Sequence, residues 1–128
     1  MLKPYLFVAI TEKMGRGVFT DKTIAAGTVI EVSPVIVMDS ADKQLLDKTL
    51  LYNYIFEWGK EKDKCCMALG LVPVYNHNYH SNCEYFMDFD AHTILIKTVR
   101  DIKKGEELTI NYNGDWSDAA KVWFETLE

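Results

Sequence analysis

The stretch of sequence that decides the fold is Tyr75-Asn76-His77-Asn78-Tyr79-His80-Ser81-Asn82-Cys83. A second stretch near the end of the chain completes it, Gly105-Glu106-Glu107-Leu108-Thr109-Ile110-Asn111-Tyr112. Taken alone, the first is typical of a polar turn that caps its own backbone, and the second is typical of a strand after a turn. The turn Gly15-Arg16-Gly17 is equally weak by itself, because glycines often mark tight turns between strands. The order and the spacing of the three segments carry the information.

Length and composition indicate a single globular domain over residues 1–128. Hydrophobic residues make up 48% of the chain and charged residues 26%, which is ordinary for a protein with one hydrophobic core. The net charge is −5 and the sequence has no basic stripe, so direct binding of nucleic acid is not expected. An acidic surface instead attracts basic peptides, chiefly by raising their encounter rate.

The sequence predicts neither export nor membrane insertion. The apolar run 5–10 is too short to cross a bilayer, and it lacks the small-residue cleavage site of a signal peptide. The three cysteines, Cys65, Cys66 and Cys83, are odd in number and two are adjacent, which argues against a disulfide framework. We therefore expect reduced thiols, no membrane partner and a protein that is not secreted.

Most segments between the turns have the composition of strands. We predict strands over residues 5–10, 14–20, 28–38, 93–99 and 107–112, with a break in the third at Pro34; residues 51–58 are a further candidate. Helical spacing predicts a helix over 40–51, capped by Ser40, and another over 117–127, capped by Asp115 or Ser117. Because strands do not alternate with helices, the pattern predicts a mainly β fold and disfavours a doubly wound parallel sheet.

Two groups of side chains are candidates for chemistry. Asn76, His77 and Asn82 follow an apolar run, so their donors and acceptors need partners. Tyr112 ends a strand, where its phenol is either a satisfied core hydroxyl or a group directed at a reacting amine. The aromatic residues at 85 and 86 could line the same space.

A zinc site is the alternative for the histidines and cysteines. His77, His80 and Cys83 are spaced three apart, and Cys65 and Cys66 lie upstream. Zinc accepts His and Cys ligands in a tetrahedral set, but adjacent cysteines make a poor zinc knuckle. We expect no metal, and a small zinc-binding interaction domain remains the lesser alternative.

In order and spacing, the three segments resemble the signature of the SET domain, a family that transfers methyl groups from S-adenosylmethionine to protein lysines. The family pattern runs from a G-x-G turn through N-H-S-x-x-P-N to G-E-E-L-T-F-D-Y, and residues 76–82 and 105–112 follow its spacing. The likeness covers roughly residues 5–116 and is greatest to the small single-domain SET proteins of bacteria and large DNA viruses. It implies several small curved sheets around a knot-like crossing, in which the C-terminal segment threads beneath the N-H motif and places Tyr112 beside Asn76.

The resemblance also implies a role for each matching residue. S-adenosylmethionine, released as S-adenosylhomocysteine, would be held by one set: Lys13, Met14, Gly15, Arg16, Gly17, Tyr75, Asn76, His77, Tyr112 and Trp116. Tyr112 would be the catalytic tyrosine, and Tyr85, or its neighbour Phe86 as the alternative, would influence how many methyl groups are added. The lysine channel would be lined by Tyr85, Phe86, Tyr112 and Trp116.

The chain departs from the family pattern at three places. Asn78 replaces the usual Ser and Ser81 the usual Pro, so the turn between them is held differently. Asn111 replaces an Asp and loses a charge. Ser33-Pro34 stands where many relatives have an active-site Tyr. A catalytically weak SET-like module that binds peptide or cofactor is therefore the first alternative.

With the resemblance included, the sequence predicts an S-adenosylmethionine-dependent protein-lysine N-methyltransferase. Its partner would be a protein substrate, either a histone-like basic tail or another lysine-rich segment. No cysteine cluster follows Tyr112, so the final helix with Trp116, Trp123 and Phe124 would close the channel, and its aromatic face would serve a homodimer. The expected compartment is the cytoplasm for a bacterial protein, or the host nucleus for a viral one.

Overall fold

The computed structural model describes residues 1–112. The predicted helix 117–127, its proposed dimer face and Trp116 lie outside the described residues. Within residues 1–112 the chain forms nine strands, one α-helix and two short 3-10 helices. The strands are β1 Leu6–Ile10, β2 Arg16–Thr20, β3 Val29–Met38, β4 Phe56–Trp58, β5 Lys64–Ala68, β6 Asn76–His77, β7 Cys83–Asp88, β8 Thr93–Thr98 and β9 Glu107–Ile110. The helix α1 is Ser40–Leu46, and the 3-10 helices are Leu50–Asn53 and Val72–Val74.

The strands form two small sheets, which confirms the predicted mainly β fold. One sheet has the order β1-β2-β9-β6, and the other has the order β4-β5-β3-β8-β7. Alternation of buried and exposed side chains explains the clearest strand, β8, where Ile94 and Ile96 are fully buried and point to the same face. In the described part of the chain, no helix is long and apolar enough to cross a membrane.

Strand β9 brings the two signature segments together. It pairs antiparallel with β2 and parallel with β6, so β9 lies between these two strands. Thr109 is opposite Asn76 and Ile110 is opposite His77 in the parallel pair, and the backbone N–H of Asn78 donates to the Ile110 carbonyl at 3.0 Å. The side chains of Leu108 and Ile110 are fully buried and anchor this strand in the core.

The predicted break at Pro34 is wrong, because β3 continues through the proline. Residues 29–34 pair with β8, and residues 35–38 pair with β5, so Pro34 lies where the pairing changes from one neighbour to the other. Its missing N–H is tolerated there, and its carbonyl accepts from the Leu69 N–H at 3.0 Å. The irregularity in β3 lies earlier, as a bulge between Val29 and Glu31.

The first helix is shorter than predicted and has a different cap. Asp39 is the N-cap, because its carboxylate accepts from the Asp42 N–H at 2.9 Å, whereas Ser40 is the first helical residue. No residue of α1 is buried, so tertiary packing does not extend it, and it ends at Leu46. The predicted strand over 51–58 forms only at Phe56–Trp58, after the first 3-10 helix.

A buried carboxylate links β3 to the segment before the N-H motif. Glu31 is fully buried, and it accepts hydrogen bonds from Ser33 Oγ at 2.6 Å, the Leu71 N–H at 2.8 Å and the Tyr75 hydroxyl at 2.8 Å. Three donors offset the desolvation of the carboxylate. Gly70 lies against this group with φ +66, and a Cβ there would overlap Glu31 Oε2 and Ser33 Oγ.

We predict that Gly70→Ala destabilises the fold far more than Gly27→Ala does. Both glycines have positive φ, +66 and +77, so each alanine carries backbone strain of roughly 1–2 kcal/mol. Only at position 70 does the methyl group also overlap a buried hydrogen-bond network, which adds about 1–3 kcal/mol. Urea unfolding of the two variants measures the difference in the free energy of unfolding. Equal losses of stability would show that the Glu31 hydrogen-bond network rearranges around the methyl group without cost.

Candidate active site

The Asn82 side chain joins the two signature segments. It is 2% exposed, and its amide Nδ2 donates to the Glu107 carbonyl at 2.8 Å and to Glu106 Oε2 at 3.0 Å. Its Oδ1 accepts from the Thr109 N–H at 2.8 Å. Asn82 thus acts as an additional backbone partner for β9. Sequence reasoning recognised that Asn82 needed partners but did not predict that they belong to the other segment.

Asn78 and Ser81, which replace the family's usual Ser and Pro, each form a hydrogen bond that stabilises the turn between them. Asn78 Oδ1 accepts from the His80 N–H at 2.8 Å, and buried Ser81 Oγ donates to the Cys83 carbonyl at 2.9 Å. The Arg100 guanidinium donates to the carbonyls of Ser81 and His80 at 2.9 and 3.2 Å. The departures from the family pattern therefore leave the turn well bonded.

Tyr112 contacts the two neighbours of Asn76. Its hydroxyl donates to the Tyr75 carbonyl at 2.7 Å, and its backbone N–H donates to His77 Nδ1 at 3.0 Å. The Tyr112 and His77 rings lie 5.2 Å apart between centroids. The end of β9 is thereby fixed against the N-H motif, which places the phenol at a defined point in the fold.

The Glu31 network also supports this tyrosine. The Tyr75 side chain is bonded to Glu31, while the Tyr75 carbonyl accepts from Tyr112, so one residue joins the buried carboxylate to the phenol. Ser33, which stands where many relatives have a tyrosine, donates its hydroxyl to Glu31. Ser33 is part of the buried support of the site.

A cavity of about 420 Å³, hereafter the Asn76 cavity, lies beside the glycine turn. Five of the residues predicted to bind cofactor line it, namely Met14, Gly15, Arg16, Asn76 and Tyr112. Its remaining lining residues are Ile10, Asn53, Tyr54, Pro73 and Val74. Gly15 has φ +70, and a Cβ there would meet nothing within 4 Å, so this glycine serves the turn and leaves the cavity edge open.

The other predicted cofactor residues within residues 1–112 do not line this cavity. Lys13 is exposed on the turn, and Gly17 lies beneath the side chains of Asn76 and Glu107. Tyr75 is fully buried, and His77 packs its ring between Tyr79 and Tyr112. Tyr75 and His77 contact Tyr112 directly, so they are placed to position it. Trp116 lies outside the described residues.

A second cavity of about 650 Å³, hereafter the Phe86 cavity, is also lined by Tyr112. Tyr85, Phe86 and Tyr112, all predicted for the lysine channel, line it. Its other lining residues are Asn53, Tyr54, Ile55, Phe56, Glu57, Gly59, Lys62, Pro73, Met87 and Phe89. The two cavities share four residues, Asn53, Tyr54, Pro73 and Tyr112.

Tyr54 is a residue of the site that sequence reasoning missed. It lines both cavities, and it contributes a hydroxyl-bearing aromatic ring to a region where Ser33 does not. The aromatic spacing Tyr54-x-Phe56-x-Trp58 is a signal for this residue, although the same spacing is typical of a strand. The short 3-10 helix before Tyr54 turns this segment toward Tyr112.

Burial keeps the phenols of Tyr112 and Tyr85 protonated. Burial and, to a lesser degree, the nearby negative charge of Glu107 together raise the pKa of Tyr112 to about 12. Burial, with a smaller contribution from the negative charge of Glu57, also raises the pKa of Tyr85 to about 12. At neutral pH both hydroxyls are therefore neutral hydrogen-bonding groups, and neither is a base.

The cysteines are buried free thiols. Burial raises the pKa of Cys66 and of Cys83 to about 12, which leaves these sulfurs unreactive at neutral pH. Among residues 1–112, no three His, Cys, Asp or Glu side chains are grouped so that they could hold a metal ion. The set considered for zinc from the sequence is therefore not brought together in this part of the chain.

Comparison with known proteins gives consistent matches. The SET domain family model matches residues 15–113. The chain is 36% identical over 126 residues to a Schizosaccharomyces pombe histone-lysine N-methyltransferase described as H3 lysine-37 specific, and the match spans 98% of this chain and 80% of that protein. It is 32% identical to an H3 lysine-36 specific histone-lysine N-methyltransferase of Cryptococcus neoformans, over 84% of this chain but only 14% of the longer relative.

A solved structure shows the same fold. The crystal structure of a Plasmodium falciparum protein proposed to be a histone methyltransferase superposes with a TM-score of 0.64 at 20% identity. The superposition covers 92% of this chain and 100% of that chain. The chain belongs to the SET domain family. Its homologues confirm the predicted class of protein-lysine methyltransferase, whereas the particular likeness to bacterial and viral members stays a prediction.

We predict that Tyr112 titrates near pH 12 in the folded protein. The ordinary tyrosine pKa is 10.0, and a raised folded pKa means that the stability tied to the neutral phenol is complete below pH 10 and is lost as pH rises from 10 to about 12. Ultraviolet difference titration of wild type against Tyr112→Phe isolates this group. A midpoint near 10 would mean that the phenol is not buried as described.

Proposed function

We propose that this chain binds S-adenosylmethionine in the Asn76 cavity and methylates a protein lysine that enters through the Phe86 cavity. The observation that carries the proposal is that the two cavities share Tyr112, whose hydroxyl is held by the Tyr75 carbonyl. A transfer between two large ligands needs each to approach from its own side and to meet at one fixed point.

The lining of the Asn76 cavity fits the cofactor. S-adenosylmethionine, when bound, supplies an electrophilic methyl group on a sulfonium. Arg16 suits the carboxylate of its amino-acid end, and the Asn76 amide oxygen suits the ammonium. Apolar side chains at Ile10 and Val74 suit the remaining carbon-rich surface.

The Phe86 cavity fits a lysine side chain that must lose its charge. A free lysine has a pKa of about 10.4, so neutralising it near pH 7.5 requires about 4 kcal/mol. The aromatic lining of Tyr54, Phe56, Tyr85 and Phe86 removes water from the amine and lowers its pKa. The lysine proton can leave through water, and no described side chain needs to act as a dedicated base.

Tyr112 would orient the attacking amine. Its proton is donated to the Tyr75 carbonyl, so its oxygen can accept an N–H of the neutral lysine. The Tyr85 hydroxyl donates to the Tyr112 carbonyl at 3.4 Å, and both residues line the Phe86 cavity. Tyr85 is therefore suited to limit how many methyl groups the amine can hold.

The proposed substrate is a basic histone-like segment. The named relatives are histone-lysine N-methyltransferases, this chain has a net charge of −5, and Glu57 lines the substrate cavity. Opposite charge favours the encounter with lysine-rich tails. A histone substrate would require the enzyme to act in or near a nucleus, and a second copy of the chain would be an additional partner.

A binding module with little turnover is the second candidate. It is favoured by Ser33, whose hydroxyl is used by Glu31 instead of lining the lysine cavity. The presence of Tyr54 in both cavities opposes it, because Tyr54 restores an aromatic hydroxyl near Tyr112. Transfer of labelled methyl to histones separates the two functions.

We predict that Tyr112→Phe lowers methyl transfer about 100-fold or more, while S-adenosylhomocysteine binds within about three-fold of wild type. The phenol contributes a positioned hydrogen-bonding group, and loss of one such group typically has an effect of this size. The measurement is single-turnover transfer from labelled S-adenosylmethionine to a panel of histones, with calorimetry for binding.

Tyr52→Phe, an exposed tyrosine that lines neither cavity, is the matched control and should transfer at the wild-type rate. Failure of the wild-type protein to bind S-adenosylhomocysteine would refute the proposed cofactor site. Normal binding without any transfer would support the binding module.

A further inference from the structure

The Asn76 side chain has only one orientation that its neighbours allow. Its amide Nδ2 donates to the Arg16 carbonyl at 3.1 Å and to Glu107 Oε2 at 2.8 Å, which uses both of its N–H groups. With the amide turned over, its oxygen would face a carbonyl and a carboxylate, two acceptors with nothing to donate. The amide oxygen, which has no partner among residues 1–112, is thereby left for the cavity.

Gly17 makes the pairing of Asn76 with Glu107 possible. A Cβ at position 17 would overlap Glu107 Oε2 and would lie 2.9 Å from Asn76 Nδ2. Gly17 does not line the Asn76 cavity itself. Because Gly17 has no side chain, the Glu107 carboxylate and the Asn76 amide have room to form their hydrogen bond beside it.

We propose that Glu107 is a positioning residue that fixes the Asn76 amide so that its oxygen selects a cationic amino group in the cavity. The inference rests on the proposed function, since it concerns the ammonium end of the cofactor. The two glutamates of the Gly-Glu-Glu segment would then have different roles. Glu106 accepts hydrogen bonds from Asn82 and from the Lys103 N–H, whereas Glu107 would position Asn76.

The location of Glu107 suits a role in recognition as well as in structure. It belongs to β9 opposite Phe19 of β2, and its side chain is only partly buried. Arg16, which lines the same cavity as Asn76, provides a positive charge, so the lining offers both an acceptor oxygen and a cation. This combination matches a ligand that carries both an ammonium and a carboxylate.

The test compares two ligands and two substitutions. S-adenosylhomocysteine and its analogue lacking only the amino group are titrated by calorimetry into wild type, Glu107→Ala and Glu107→Gln. We expect Glu107→Ala to bind S-adenosylhomocysteine about ten-fold more weakly, because the amide is then free to turn over, while the desamino analogue binds unchanged. Glu107→Gln keeps an acceptor for Asn76 Nδ2 and should stay within about three-fold of wild type.

A double-substitution cycle with Asn76→Ala provides the control. If Glu107 acts through the amide, adding Glu107→Ala to Asn76→Ala should change S-adenosylhomocysteine affinity by less than about two-fold. Equal weakening of both ligands by Glu107→Ala, or no weakening of either, would overturn the inference. Wild-type protein that binds neither ligand would instead refute the proposed cofactor site.

Discussion

The parallel pairing of β6 with β9 is the interaction on which the rest of the site depends. Strand β6 contains only Asn76 and His77, and a two-residue ladder is weak by itself. The Asn82 side chain strengthens it by bonding the backbone of Glu107 and Thr109 from the far side of the turn. These hydrogen bonds help to keep Asn76 and Tyr112 in the lining of the same cavity.

The buried carboxylate of Glu31 supports Tyr112 indirectly, through Tyr75. Glu31 has no described cation beside it and depends on three hydrogen-bond donors, so loss of any one would leave a poorly solvated acceptor. The Tyr75 donor matters most for the site, because the carbonyl of the same residue receives the Tyr112 hydroxyl. Through Tyr75, the hydrogen bonds of Glu31 therefore connect strand β3 to Tyr112, which lines both cavities.

The sequence predicted those features that depend on local pattern. Strands β1, β2 and β8 follow from apolar and β-branched runs, and the order of the three signature segments predicted the family. Strand β7 was missed, because Cys83–Asp88 mixes acidic and aromatic residues without clear alternation. Pro34 was misjudged because a change of neighbouring strand, which a sequence does not reveal, makes its missing N–H harmless.

The site shows the same division. Asn76, Arg16 and Tyr112 could be named from the motifs, but the pairing of Asn76 with Glu107 depends on contacts across sheet elements far apart in the chain. Tyr54 lies in a short turn segment whose direction only tertiary packing decides.

The proposed methyl transfer requires two ligands to meet at Tyr112, one in the Asn76 cavity and one in the Phe86 cavity. A crystal structure of the protein with S-adenosylhomocysteine and a lysine-containing histone peptide tests it most directly. We expect the cofactor product to contact Arg16 and Asn76, and the lysine side chain to lie between Tyr85 and Phe86 with its amine beside the Tyr112 hydroxyl. Both ligands in one cavity, or a lysine that does not reach Tyr112, would contradict it.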